Sequence, residues 1–495
     1  MRGTSRLLPV DLLLASLALA SGCVDARDDR QPTAEGTAGT GTAGAGASTA
    51  GESGAGGQAG APSADAGGAG AGGDFPGDPA YPHAPQADTA VAELELDVFG
   101  VVGNRYWFGV SPSELDALNA RGGDPMHADD GVHFADHLYV TTAGDAPRTA
   151  DYGKVQVKVV GQSTWRPWQP GSTPSINVDA DRFVDEQRIG GFEHLRFNNN
   201  VIGGIFRERF SLELFRRLGY PAPQANYAWV AGGAWDASTQ VPYTVVERYK
   251  QAFCDRNAAA LGGGCANVWE MAFLTSFDAA GASSPFDDPE NCKLEQCEGT
   301  RAKELGSKLA TTPPGAGFEA ALADYVDWPA LHRFQCLAWI LQTSDDALHS
   351  YHNVVVVERQ DGRFQYLPYS VDISLDRPSS GGKLDYTPLT AQSELAVGCQ
   401  HDASCWHDAI AECELVIAEL DALDPSAVLM QLHDQLEVAG MLREGDEELY
   451  QNTDAWLKRR LGQLPAELEL FRDPHCDPLL VDCHGQCLRF DECQP

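Results

Sequence analysis

Between Arg27 and about Gln86 the chain is almost all Gly, Ala, Ser, Thr and Pro, with no apolar period and no aromatic residue before Phe75. Such a stretch cannot bury enough apolar surface to offset the entropy of ordering it, so it reads as a flexible spacer. A core can therefore form only from the residues beyond it. These roughly 400 residues hold nearly all the Trp, Tyr and Phe, enough for one large domain or two lobes.

The segment before the spacer sets the compartment. Arg2 and Arg6 are followed by the apolar stretch Leu12 to Ala20. That is the length of a signal-peptide core and short of the ~20 residues a bilayer span needs. It ends in Ala-Ser-Gly-Cys at positions 20 to 23, the pattern a lipoprotein signal peptidase cuts, so Cys23 is expected to carry a lipid. The competing reading is an ordinary secretory signal with a chance cysteine. A lipid at Cys23 implies a membrane partner and a location in the periplasm or at the cell surface. The net charge of −36 argues against nucleic-acid binding, which wants a basic surface. It suits solubility and the company of divalent cations.

Thirteen cysteines less Cys23 leave twelve, an even number. In an oxidising compartment they are expected to pair. They fall in local groups: Cys254 and Cys265; Cys292 and Cys297; Cys399, Cys405 and Cys413; and Cys476, Cys483, Cys487 and Cys493. Cys336 stands alone. The pairing cannot be read from spacing, and the tail lacks the doubled CxxC pattern of a zinc site.

Periodicity divides the rest. Leu94 to Val110 reads as a strand, and Ser111 caps a helix through Leu115. Strands follow at His137 to Thr142, Val155 to Val160, Ser175 to Val178 and Phe192 to Phe197. Gly204 to Leu218 then places apolar residues three and four apart, an amphipathic helix stopped by Gly219. Further strands are expected at Tyr227 to Val230 and Tyr243 to Arg248. Beyond these the pattern is mostly helical: 317–326, 329–341, 406–420, 427–439 and 447–461. A hairpin interrupts it, Asn353 to Glu358 and Phe364 to Leu367, turning at Asp361-Gly362. The expected organisation is a signal peptide at 1–22, a lipidated spacer at 23–88, a sheet-rich lobe at 89–250, a helical lobe at 251–465 and a Cys-rich tail at 466–495.

The most informative segment runs from Ser344 to Asp376. A hairpin brings its two ends together, so Asn353 at its start and Asp372 just past its end are neighbours, with Asp346 in the loop before them. Two carboxylates and a carboxamide make an all-oxygen site suited to Mg²⁺ or Mn²⁺. Phosphoryl transfer needs such a set, one aspartate for the acceptor hydroxyl and an Asn and Asp for the metal. The plainer alternative is a group of turn and cap residues. Trp165 and Trp168 read as packing residues rather than a stacking platform. A zinc trio of Asp346, His349 and His352 is less natural than surface hydrogen bonding.

The chain resembles the spore-coat-protein-H (CotH) family of kinase-like proteins. Four stretches carry the resemblance: VQVKVVGQSTWR at 155–166, the strand, asparagine run and helix from Phe192 to Leu218, Asp346 to Val354, and Pro368 to Asp372. The late helix with Arg459-Arg460 also fits, so the likeness runs from about Glu93 to Leu464. It implies a two-lobed α+β, protein-kinase-like fold and an extracytoplasmic, ATP- and metal-dependent protein kinase acting on an unidentified protein. Asp346 would be the catalytic base, and Asn353 and Asp372 the Mg²⁺ or Mn²⁺ ligands. Ser163, Arg166 and Glu247 would face the nucleotide, Glu247 by pairing with a phosphate-anchoring cation. The lysine that the family places soon after its Gly-x-Ser turn has no counterpart in Pro170 to Pro174, leaving Arg166 or Lys158 as substitutes. Asp372 stands alone where some members carry Asp-x-Asp. The alternative function is a non-catalytic, surface-anchored structural or binding lipoprotein that keeps the fold. A carbohydrate-binding adhesin rests only on aromatic residues.

Overall fold

The computed structural model describes residues 81–120, 132–161, 166–169, 174–201, 204–233, 240–274, 277, 284–343, 346–348, 352–375, 393–472, 476–481 and 487–489. Cys23, the spacer up to residue 80, Ser163, Trp165 and His349 lie outside them.

The first half contributes β1 (Asn104–Gly109), α1 (Pro112–Asn119), β2 (Phe134–Ala135), β3 (His137–Thr141), β4 (Thr149–Asp151), β5 (Val155–Val160), β6 (Ser175–Asp179), β7 (His194–Asn198), α2 (Gly204–Arg217), β8 (Ala225–Gly232) and β9 (Val241–Glu247). The strands form a nine-stranded sheet in the order β2-β5-β6-β7-β9-β8-β1-β3-β4. Strict alternation explains the better-defined members. Val155, Val157 and Val159 are buried while Gln156, Lys158 and Val160 are half-exposed, the mark of a strand with one covered face. The strand expected from Leu94 begins only at Asn104. Asp97 Oδ1 accepts from the Gly100 N–H at 2.7 Å, and such a side-chain turn competes with extended structure. Ser111 caps α1 as expected, its hydroxyl accepting from the Glu114 N–H at 3.3 Å. Trp168 is core, edge-on to Phe108 at 5.8 Å between ring centres.

The second half contributes α3 (Gln251–Arg256), β10 (Cys265–Phe273), α4 (Thr300–Thr311), α5 (Phe318–Leu322), α6 (Trp328–Leu341), β11 (His352–Arg359), β12 (Phe364–Leu367), α7 (Glu394–Gln400), α8 (Ala403–Leu423), α9 (Pro425–Val438), α10 (Asp446–Phe471), β13 (Cys476–Val481) and β14 (Cys487–Arg489). The hairpin β11–β12 is present, and β10 pairs with β11 to make a three-stranded antiparallel sheet. α10 continues past Arg460 because Leu464, Leu468 and Phe471 extend its buried stripe. Arg460 turns inward, donating to the carbonyls of Trp339 and Ile340 at 3.3 Å each and ion-pairing with Glu467. It thereby satisfies carbonyls at the end of α6 that the helix itself leaves open. Among the described residues no helix is long and apolar enough to cross a membrane.

Among the described residues two large hydrophobic cores result, beside a small cluster of Tyr81, Trp107 and Ala231. One lies on the sheet, around Phe108, Val157, Phe197 and Val245. The other spans α2 and the helical half, around Phe210, Trp269, Trp339 and Trp406. Helix α2 belongs to the second core although its sequence sits among strands. Its first residue, Gly204, has φ +67°, and a Cβ there would collide with Leu449 of α10. Only glycine meets both demands.

Among the described residues three disulfides form: Cys254–Cys265, Cys292–Cys297 and Cys399–Cys405. Cys336 and Cys413 remain buried thiols, against the expectation of full pairing. They share the contact between α6 and α8, and burial, then hydrogen bonding to Cys413, pushes the Cys336 thiol well up.

Candidate active site

Helix α6 ends at Leu341, and Asp346 follows it five residues on. The Asp346 carboxylate is held by its own loop. Oδ2 accepts from the Thr343 hydroxyl at 2.7 Å and Oδ1 from the Leu348 N–H at 2.8 Å. Asn353, the second residue of β11, adopts φ +49°. This left-handed conformation is one that asparagine tolerates better than most residues. Asp346 and Asn353 line one small cleft with Thr343, Pro368, Tyr369 and Ser370.

The antiparallel ladder explains the meeting. Val355 pairs with Leu367, so the residues just before one and just after the other lie at the same end. There the chain makes a short 3₁₀ turn, Val371–Ile373, entered through Ser370 at φ +53°. Asp372 is buried in that turn, and its Oδ1 accepts from the Ser370 hydroxyl at 3.0 Å.

Helix α2 packs against this turn, with the hydroxyls of Ser211 and Ser374 2.6 Å apart. One turn earlier on α2 lies Glu208, fully inside. Asn198 at the end of β7 donates to its Oε2 at 2.8 Å. Burial, and after it the charge of Asp372, pushes the Glu208 carboxyl up to about 7, against the pull of Arg196 and Asn198. Arg196 comes from the middle of β7. Its Nη1 donates to the Tyr369 hydroxyl at 2.9 Å, and its guanidinium lies 5.3 Å from the centre of that ring. Burial works against its charge, but Tyr369, Glu208, Asp372 and Glu270 outweigh it. A strand arginine, a helix glutamate and the hairpin's aspartate therefore converge.

The other expected residues fall differently. Glu247, at the end of β9, is buried, ion-paired with Arg256, and accepts from the Gln224 N–H at 2.9 Å. It lines the same cleft as Arg196 and Glu208. Lys158 is half-buried on β5, and Arg166 is exposed. Sequence reasoning missed Arg196 and Glu208, though each left a signal. Glu208 interrupts the apolar stripe Ile205, Leu212, Phe215 of α2, and a charge inside such a stripe needs a partner. Arg196 sits between Leu195 and Phe197, which both face the sheet core, so it must point the other way.

A divalent cation fits this donor set. Asn353 and Asp372 offer hard oxygen ligands, as Mg²⁺ and Mn²⁺ prefer. Glu208 and Asp372 repel each other in a buried place, which a further positive charge would relieve.

Residues 175–408, from β6 into α8, match the family model described as CotH kinase protein. The matched stretch holds Arg196, Glu208, Asp346, Asn353 and Asp372. The segment 155–166 and the Arg459-Arg460 pair lie outside it. With a sheet-rich first half and a helical second half around this hairpin, the fold is mixed α+β. No curated protein matches the chain. Among solved structures, HipA of the Shewanella oneidensis MR-1 toxin–antitoxin HipA, HipB and operator DNA complex has a TM-score of 0.29 and 10% identity, over 64% of this chain and 70% of that one. The Helicobacter pylori proinflammatory kinase CtkA has a TM-score of 0.26 and 8% identity, over 60% of this chain and 92% of that one.

Proposed function

We propose that the chain is an ATP- and divalent-metal-dependent protein kinase of the CotH type, acting outside the cytoplasm on a protein substrate and tethered by a lipid on Cys23. The convergence of Asp372, Glu208 and Arg196 carries this reading. Asn353 and Asp372 would hold the metal, which neutralises charge on the nucleotide phosphates when bound. Arg196, oriented by Tyr369 and paired electrostatically with Glu208, takes the part of the phosphate-anchoring lysine that is missing after the Gly-x-Ser turn. Its planar, always-charged fork suits phosphate oxygens. Asp346, fixed by Thr343 and Leu348, orients the acceptor hydroxyl and takes its proton. Disulfides in the described residues support a location in an oxidising compartment.

Calorimetric titration of the full chain with ATP and Mg²⁺ or Mn²⁺ tests the reading. Wild type is expected to bind, and Asp372→Ala to lose metal-dependent binding. If wild type at millimolar nucleotide is as silent as Asp372→Ala, the kinase reading fails and a kinase-shaped surface module remains.

A further inference from the structure

The cleft that holds Arg196 continues outward into a concentration of positive charge. Arg248 follows β9 and lines the same cleft. Its Nη2 lies 3.2 Å from Glu270 Oε2 on β10. Glu270 Oε1 accepts from the Tyr369 hydroxyl at 2.9 Å. Since Arg196 donates to that same hydroxyl, Arg196, Tyr369, Glu270 and Arg248 form one continuous chain of contacts. Two lysines are anchored by their backbones beside it, and their charges are felt there. Lys250 sits at the start of α3, its backbone N–H bonded to the Arg248 carbonyl at 2.9 Å. Lys293 lies inside the loop closed by Cys292–Cys297 and is docked on β10 by its backbone N–H to the Val268 carbonyl at 2.9 Å. Its Nζ donates to the Glu290 carbonyl at 2.8 Å, and an ammonium carries three donors.

Four cations thus share Glu270 as a counter-charge. Burial would raise the Glu270 carboxyl, yet Arg248, Lys293, the Tyr369 hydroxyl and Arg196 hold it down at about 2. Both lysines are half-buried and depressed, Lys250 by burial, Arg248 and Lys293, and Lys293 by burial, Arg248 and Lys158. Arg248 Nη1 and Arg196 Nε are buried and have no acceptor among the described residues. Buried N–H groups without acceptors are costly and uncommon. A chain of net charge −36 has no general surplus of cations to place there.

We propose that Arg248, Lys250 and Lys293 form a phosphate-binding subsite at the outer end of the cleft that Arg196 and Glu208 line. Its ligand is a phosphoryl dianion, carried either on the nucleotide's phosphate chain or as a free phosphate anion. The disulfide loop serves to deliver Lys293 to it. This placement rests on the proposed reading of the cleft, but anion binding can be measured without metal or nucleotide.

The test uses the full chain with inorganic pyrophosphate in chelator, followed by calorimetry, in wild type, Lys250→Ala, Lys293→Ala, the double variant and Lys293→Arg. Lys308→Ala, an exposed lysine on α4, controls for loss of net charge alone. Each cluster lysine is expected to be worth ~10-fold in pyrophosphate affinity, the size of one charge-assisted hydrogen bond. Lys293→Arg should restore most of it, and Lys308→Ala should leave it unchanged. The same variants are then titrated with ATP and Mg²⁺. A parallel loss places the nucleotide's phosphates in the subsite, and a loss confined to pyrophosphate assigns it to a separate anion. Wild-type silence towards pyrophosphate, or variants that bind it as tightly as wild type, overturns the subsite. If nucleotide binding survives in those variants but fails in Asp372→Ala, the kinase reading stands without it.

Discussion

Replacing Arg196 by methionine keeps an unbranched apolar stem and removes the guanidinium with its charge. The guanidinium donates to Tyr369 and is felt by Glu208, Asp372 and Glu270. At the ~4–6 Å over which charges shift a carboxyl, one such attraction is worth ~3–4 kcal/mol at an effective dielectric near 20. The lost hydrogen bond adds ~1 kcal/mol. Glu208 limits the damage by taking up a proton, since its carboxyl already stands at about 7. The net cost of Arg196→Met is therefore ~2–4 kcal/mol, somewhat below the ~3–5 kcal/mol for breaking a buried ion pair whose partner cannot neutralise itself. Urea unfolding of the full chain gives this number, and a double-mutant cycle with Glu208→Gln isolates the pair. Glu208→Gln relieves repulsion with Asp372 and should cost little alone. In the double variant Arg196→Met should then cost ~1–2 kcal/mol less than it does in wild type. A coupling below ~0.5 kcal/mol, the scatter of independent sites, would refute the claim that the strand arginine and helix glutamate act together.

Three further outcomes are expected. Asp346→Asn keeps the shape of its loop but not the base, so nucleotide binding should persist while phosphoryl transfer to a protein acceptor, followed by radiolabel, falls by ~10²-fold or more. His332 is held by burial at about 4, below its ordinary 6.5; the unfolded chain takes up its proton first, so this group's stability is intact above pH ~6.5 and is lost towards pH ~4, up to ~3 kcal/mol. Unfolding midpoints between pH 7 and 4 should show that slope reduced in His332→Gln, and an unchanged slope would count against it. Cys23→Ser should abolish fatty-acid labelling and leave unprocessed precursor, and normal processing of that variant would remove the lipoprotein reading.

The legible parts of this chain are those in which one side chain period decides the matter. β3 and β5 alternate cleanly, and α2 shows its stripe between Gly204 and Gly219. The hairpin is visible from Asp361-Gly362, and with it the meeting of Asn353 with the residues just past β12, Tyr369 and Ser370, in one cleft. β10 is not, because Val268 and Trp269, adjacent in sequence, are both buried and so break the alternation. α4 is hidden by Gly306 in its middle, although Ala302, Leu305 and Leu309 mark its buried side. The site divides in the same way. Its hairpin half follows from local geometry. Its cationic half depends on β7, β9, β10 and a disulfide loop meeting across roughly a hundred residues, so a lysine sought beside one turn could not reveal it.

The three disulfides among the described residues join cysteines 11, 5 and 6 residues apart. Each bond therefore closes a loop of few residues, so its two cysteines stay near each other even in the unfolded chain. No cysteine of these pairs must wait for a distant partner to arrive, and none is separated from its mate by another member of the set. Oxidation of each pair can proceed locally, before the rest of the fold has formed. The Lys293 loop can thus be closed before the later helices, α4 to α10, have packed.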